Sequence, residues 1–233
     1  EPNEIIKKIE TYFFNFIKTK KFKALVTAGP TREYIDPVRF ITNKSSGKQG
    51  FELAKVLSKK GFETTLISGP TNLKINNDIN LIQVETAEEM FKSTQHNLPV
   101  DVAIFCAAVA DFKTKEKKKE KIKKKDFINL NLEKNIDILN YVSNHNSLRP
   151  KLVIGFAAET SNIEENSRKK LMEKNCDWII ANDISNKSIG FESEFNEVKI
   201  LYKNKKINDE KLYIKKKSEI AEEIVDRVVN ELN

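Results

Sequence analysis

A-L-V-T-A-G-P-T-R-E-Y-I-D-P-V-R-F-I-T-N-K-S-S-G-K-Q-G, residues 24–50, opens as a short apolar strand and closes as a glycine-punctuated helix start. Between Gly29 and Ser46 the stretch predicts a long polar loop with two prolines, two arginines, two carboxylates and an asparagine. A βα turn in a nucleotide-binding fold needs only a few residues. A loop this long, and this rich in functional groups, is a better catalytic surface than connector. Its end, N-K-S-S-G-K-Q-G (43–50), sets two serines and Gly47 ahead of a helix. A helix start offers unpaired N–H groups and a positive dipole end, which together bind anions. Ser45 and Ser46 either add hydroxyl donors to such a site or serve as an N-cap. This is not a Walker A loop, because Thr42 and Gln49 stand where that motif needs Gly and Ser or Thr. G-x-G-x-x-G is also missing, which weakens a dinucleotide-dependent redox reading.

Outward from this stretch, strand-like and helix-like segments alternate. Strands are expected at 23–28, 63–67, 80–84, 101–106, near 127–132, 151–156 and 177–181. Helices are expected at about 47–60, after the N-cap Thr86 with Glu88 and Glu89 in its first turn, near 136–144 and at about 163–175. Two short strands, about 197–203 and 211–215, precede a last helix from about 217 to 231. The pattern implies an α/β fold: a Rossmann-like, doubly wound, mostly parallel sheet with a small β-rich appendix. Residues 20–233 read as one domain. Residues 4–18 form an amphipathic pattern outside the repeat, and 1–19 read as a connecting helix.

Composition narrows the chemistry. The two cysteines, Cys106 and Cys176, have no metal-ligand spacing with each other or with His96 and His145, so both read as structural thiols. With two histidines in 233 residues, neither a zinc site nor a catalytic His is expected. No stretch is long enough for a transmembrane helix and no secretory signal is present, so the expectation is a soluble cytoplasmic protein without a membrane partner. The net charge of +7 equals that of residues 113–125, which hold nine lysines and two glutamates. That run reads as a solvated loop, a nucleic-acid patch or a flap over a polyphosphate. It has no arginine and no interleaved aromatic to stack bases, which argues against nucleic acid. It directly follows a strand end, where ligands of open α/β sheets bind, which favours the flap.

Two more strand ends carry functional groups. In C-A-A-V-A-D-F (106–112), small residues permit close approach of a ligand, and Asp111 is either a metal or ribose ligand or a solvated carboxylate. In G-F-A-A-E-T (155–160), Phe156 either stacks on a base or belongs to the core. Taken in order, T-A-G-P-T-R-E, D-P-V-R-F-I-T-N-K-S-S-G-K-Q-G, A-A-V-A-D-F, E-K-I-K-K and V-I-G-F-A-A-E-T resemble bacterial phosphopantothenoylcysteine synthetases over essentially all of 20–233.

The resemblance implies a ligase of coenzyme A biosynthesis that joins 4′-phosphopantothenate to L-cysteine, using CTP and Mg²⁺ through an acyl-cytidylate. Asn43 matches the asparagine needed when that intermediate is consumed. Lys121, in E-K-I-K-K, matches the lysine needed at the triphosphate. Asp111, Phe156, Lys170, Lys174, the backbone of Phe105, Cys106 and Ala107, and the segment Ile136, Asp137, Ile138 and Leu139 match nucleotide-site positions. Ser45, Ser46 and Gly47 join them as the anion-binding helix start, and Asp111 is the candidate Mg²⁺ ligand. The family's usual His after the asparagine is Lys44 here, its Pro before E-K-I-K-K is Lys119, and its K-N-P-D-I carries Ile136. The resemblance further implies a homodimer through 197–215 and an upstream flavin-dependent decarboxylase domain, of which Glu1–Glu10 would be the end. The decarboxylase motifs are absent, so no FMN site is expected in this stretch.

Overall fold

In the computed structural model, which describes residues 22–123, 129–183 and 193–233, strand β1 (Lys23–Ala28) divides its side chains between two cores. Ala24, Val26 and Ala28 face one and Leu25 the other, all buried. Nearly continuous apolar character is what a strand covered on both faces requires. Its parallel neighbours are β4 (Glu63–Ser68) and β6 (Val102–Phe105). Beyond β4 lies β5 (Asn80–Gln83); beyond β6 lie β9 (Leu152–Glu159) and β10 (Trp178–Asp183), all parallel. Two antiparallel strands, β11 (Phe195–Tyr202) and β12 (Glu210–Lys216), complete an eight-stranded sheet in the order β12-β11-β10-β9-β6-β1-β4-β5. The β-rich appendix read from the sequence therefore extends the main sheet.

The chain leaves β1 toward β4 and β5, then returns to run from β6 to β12. The strand order thus reverses between β1 and β6, where open α/β sheets carry their ligand crevice. Helices α1 (Lys48–Lys59) and α5 (Lys217–Leu232) pack on one face, with Leu53, Leu57, Ile220 and Ile224 fully buried. Helices α2 (Ala87–His96), α3 (Ile138–Ser143) and α4 (Ile163–Lys174) cover the other, through Met90, Val142 and Leu171. The N-cap expected at Thr86 is there: its hydroxyl accepts from Glu89 N at 3.2 Å while the Glu89 carboxylate accepts from Thr86 N, a capping box.

Two departures from the expected elements matter for the site. The loop after β1 is not plain loop, because β2 (Arg32–Tyr34) and β3 (Phe40–Thr42) pair as an antiparallel hairpin inside it. The strand expected near 127–132 is found at β8 (Leu132–Lys134), and it pairs with β7 (Phe112–Thr114) away from the main sheet. Residues 127 and 128 of that expectation, like the helix 4–18 and the connecting segment 1–19, lie outside the described residues.

The crossing of the β1 and β4 ends leaves no room for a side chain at Gly69. A Cβ there would sit 1.7 Å from the Pro30 carbonyl oxygen. This contact holds the start of the hairpin loop against the β4 end and fixes where the loop leaves the sheet.

Candidate active site

A cavity of about 750 Å³ lies along the carboxyl ends of β1, β6, β9 and β10. Its floor is the segment after β6. Ala107 N donates to Thr27 Oγ1 at 3.3 Å, Ala108 N to Gly29 O at 2.9 Å and Ala110 N to Thr31 Oγ1 at 3.0 Å. These bonds stitch 107–110 onto the β1 end, so the small residues form a rigid surface. Phe105, Cys106, Ala107 and the exposed Asp111 line this floor. Burial pushes the Cys106 thiol up to about 12, which suits the structural role expected of it. Phe156, half-buried at the end of β9, lines the cavity beside Ala157 and Ala158.

One wall is the stretch 43–50. Gly47 holds φ +76°, and a Cβ there would meet Thr71 Cγ2 at 2.9 Å. It is itself the N-cap of α1 and supplies no side chain. Ser45 Oγ accepts from Gly47 N at 3.3 Å and Ser46 Oγ from Lys48 N at 3.5 Å, so neither serine is the cap residue. A glycine cap brings no side chain to the first-turn amides that follow Lys48, which leaves those to an anion. Asn43, exposed, donates from Nδ2 to Val109 O at 3.0 Å, which ties the wall to the floor. Behind Ser45 and Ser46 lies a second cavity of about 720 Å³, bordered by Arg32, Gly69 and Glu85.

The opposite wall comes from 134–139 and α4. Asp137 caps α3 by accepting from Asn140 N at 2.9 Å. Lys170 and Lys174 are four apart on α4 and both line the cavity, sharing a face as expected. Each already has a carboxylate partner: Glu159 for Lys170 at 2.7 Å, Asp137 for Lys174. A phosphate bound here would share these ammonium groups with the carboxylates. Ile136, Ile138 and Leu139 supply apolar lining.

Lys121 is the exception among the expected site residues. It is exposed and does not line the cavity. The described part of its segment is strapped to the β2–β3 hairpin. Lys118 N donates to Ile35 O at 2.9 Å, Lys117 Nζ stands 4.7 Å from the Tyr34 ring centroid, and Ile122 N donates to Asp36 Oδ2 at 3.1 Å. Asp36 is fully buried and also accepts from Val38 N and Arg39 N, each at 2.8 Å, while pairing with Arg39. Burial by itself would raise this carboxyl, but the three amides and the Arg39 guanidinium outweigh it and hold it below its ordinary value. The strap should therefore be complete above the ordinary carboxylate range and lost as pH falls through the depressed folded value. Hydrogen exchange at the Ile122 amide measures this. At neutral pH, Asp36→Asn should speed tryptic cleavage within 113–123 by roughly fivefold or more, since a buried charge-assisted network is broken.

Side chains not singled out in the sequence also line the cavity: Lys48, Gln49, Asn182, Asn196 and Lys217. Lys217 is the first residue of α5 and only 5% exposed. Burial, and then the like charge of Lys48, pull its ammonium down to about 8. The one sequence signal is that it ends the triple Lys215–Lys217 at a helix start, and nothing in a lysine run says which member is buried.

Among the described residues no three His, Cys, Asp or Glu side chains cluster as a metal cage. The one carboxylate at the floor, Asp111, would suit a Mg²⁺ that brought its other oxygens on a bound phosphate, because Mg²⁺ takes one or two carboxylates plus substrate oxygens. No described helix is long and apolar enough to cross a membrane.

Known proteins share this architecture and sequence. The profile of the DNA/pantothenate metabolism flavoprotein C-terminal domain matches residues 19–232. The coenzyme A biosynthesis bifunctional protein CoaBC of Haemophilus influenzae is 40% identical over 98% of this chain and 56% of its own length. The chain thus spans about half the length of the curated relatives it matches. The crystal structure of the C-terminal domain of a CoaBC protein is 40% identical and superposes with a TM-score of 0.72, covering 89% of this chain and 93% of that one. A more distant structure, the H337A mutant of Cab2 in complex with phosphopantothenate-cysteine, shares the fold at 17% identity and a TM-score of 0.71, covering 99% of this chain and 92% of that one. With a doubly wound sheet, a switch-point cavity and a profile match over nearly its whole length, the chain belongs to the family of DNA/pantothenate metabolism flavoprotein C-terminal domains.

Proposed function

We propose that this chain is a phosphopantothenate–cysteine ligase of coenzyme A biosynthesis. The observation that carries the reading is the convergence of Asn43, Ser45–Gly47, Phe105–Ala107, Asp111, Ile136–Leu139, Phe156, Lys170 and Lys174 on one cavity, in a chain 40% identical to a protein named for coenzyme A biosynthesis. In the reaction, a carboxylate oxygen of 4′-phosphopantothenate attacks the α-phosphorus of CTP and pyrophosphate leaves. The cysteine amine then attacks the activated carbonyl carbon, the C–O bond to the phosphate breaks and CMP leaves, with the amine proton lost to solvent.

This chemistry needs placed donors and cations more than a protein nucleophile. The α1 start and its two serine hydroxyls would hold phosphate oxygens. Lys170 and Lys174 would neutralise phosphate charge, and Phe156 would stack against the base. The adjoining cavity behind Ser45 and Ser46 gives a second substrate room next to the first. Asp111 would offer an oxygen ligand to Mg²⁺, which, when bound, neutralises charge on the nucleotide's phosphates. The lysine segment with Lys121 would act as a flap that must leave the hairpin to reach the phosphates.

The same reading includes a homodimer through 197–215, supported by the exposed Tyr213 and Ile214 on the edge strand β12, and a cytoplasmic protein. It also includes an upstream decarboxylase domain, supported by the 56% share of the bifunctional relative that this chain covers.

The test is pyrophosphate release by the purified chain. Release that requires phosphopantothenate, Mg²⁺ and CTP, with ATP much poorer, is the expected result. No turnover with any nucleoside triphosphate would overturn the ligase reading.

A further inference from the structure

Lys217 stands apart from every other lysine of the cavity. Lys44, Lys48, Lys134, Lys170 and Lys174 are exposed or half-buried, while Lys217 is 5% exposed. A lysine in such a position loses hydration that a solvated partner would not cost it. Lys48, on α1, lies close enough to depress it; Glu194, ahead of β11, and the Cys106 thiol, after β6, act the other way.

Hydrogen bonds to its backbone hold Lys217 in place. Lys217 N donates to Glu194 O at 2.9 Å, and Gln49 Nε2 donates to Lys217 O at 3.2 Å. Gln49, itself buried, also receives Asn196 Nδ2 at 3.5 Å, so α1, β11 and α5 are locked together around Lys217. The first residues of α1 and α5, Lys48 and Lys217, therefore line the same cavity. The α1 start and two ammonium groups at one place make a field that favours a multiply charged anion.

We propose that Lys217 is a substrate-phosphate ligand of this cavity, acting with Lys48 and the α1 start on the face of the sheet opposite Lys170 and Lys174. This deepens the ligase reading and rests on it for the identity of the phosphate. The chemistry recognised is a phosphoanion, supplied either by the nucleotide triphosphate or by the phosphate monoester of phosphopantothenate.

Direct binding tests it with inorganic pyrophosphate, CTP, phosphopantothenate and pantothenate as probes, on wild type, Lys217→Met and Lys217→Arg, by calorimetry. Lys217→Met should weaken at least one phosphorylated probe on the order of 10- to 100-fold, as expected for loss of a charge-assisted contact. Weakened CTP and pyrophosphate assign the triphosphate; weakened phosphopantothenate with pantothenate unchanged assigns the monoester. Lys217 should also give an alkaline limb. With an ammonium that titrates at about 8, the cationic fraction falls as pH rises from 7 to 9, and affinity with it. Lys217→Arg, which stays charged, should bind and should flatten that limb.

Equal affinity of wild type and a folded Lys217→Met for every phosphorylated probe overturns the proposal. If Lys217→Met does not fold, an alkaline limb identical in wild type and Lys217→Arg overturns it instead. Because these readouts are binding constants, Lys217-dependent pyrophosphate binding in a chain without ligase turnover would uphold the phosphate site and sink the ligase reading alone.

Discussion

Asn43→Ala is expected to stop amide formation while leaving activation of the carboxylate intact. In a quenched reaction with CTP, phosphopantothenate, Mg²⁺ and cysteine, the variant should release about one pyrophosphate per site and then stall. Phosphopantothenoylcysteine should form on the order of 10²- to 10³-fold more slowly, the usual loss when a placed donor to a developing oxyanion is removed. The geometry supports an effect of this size from a small side chain. Asn43 sits at the exposed end of the wall, and its amide is aimed by the bond to Val109 O. It thereby links the loop that carries the α1 start to the floor. Asn43→Asp, which keeps the size but removes the NH₂ donor and adds a negative charge, should be at least as impaired. A parallel fall in pyrophosphate and product in both variants would rule out this division of labour.

Ile154→Ala carries the largest expected loss of stability. Ile154 is fully buried at the middle of β9, paired across to Ile104 of β6 and Trp178 of β10. Truncation removes apolar surface and leaves a void that strands fixed on both sides cannot close. The expected destabilisation is about 2–5 kcal/mol, read as a lower urea midpoint with unchanged slope. Phe156 lies two residues on, on the same face of β9, so weaker nucleotide binding should accompany it. A loss below about 1 kcal/mol would mean the site relaxes, contrary to close packing.

The sequence was most legible where one local rule decides an element. Thr86, Glu88 and Glu89 announce α2, and the apolar runs at β1, β6, β9 and β10 announce strands covered on both faces. The strand-end motifs were legible because Ala107, Asp111 and Phe156 follow apolar runs directly. What stayed hidden depends on partners distant in the chain. Arg32–Tyr34 and Phe40–Thr42 are three-residue strands, too short to show a period. Leu132–Lys134 became a strand by pairing with Phe112–Thr114, some twenty residues earlier. The strap on Lys118 and Ile122 comes from Ile35 and Asp36, which no spacing in a lysine run reveals. Lys217 was invisible for the same reason: the bonds that hold its backbone come from Gln49 and Glu194, neither of them its neighbour in sequence.

The raised Cys106 thiol has a consequence for redox behaviour. On the proposed ligase reading, cysteine in the cavity would bring a second sulfur close to the protein's own, an invitation to thiol–disulfide exchange. Exchange proceeds through the thiolate, and burial that pushes the Cys106 thiol up to about 12 keeps that thiolate scarce at neutral pH. Oxidised cysteine entering this cavity would therefore meet an inert sulfur. The protein should tolerate cystine and mild oxidants without trapping a mixed disulfide on its own floor.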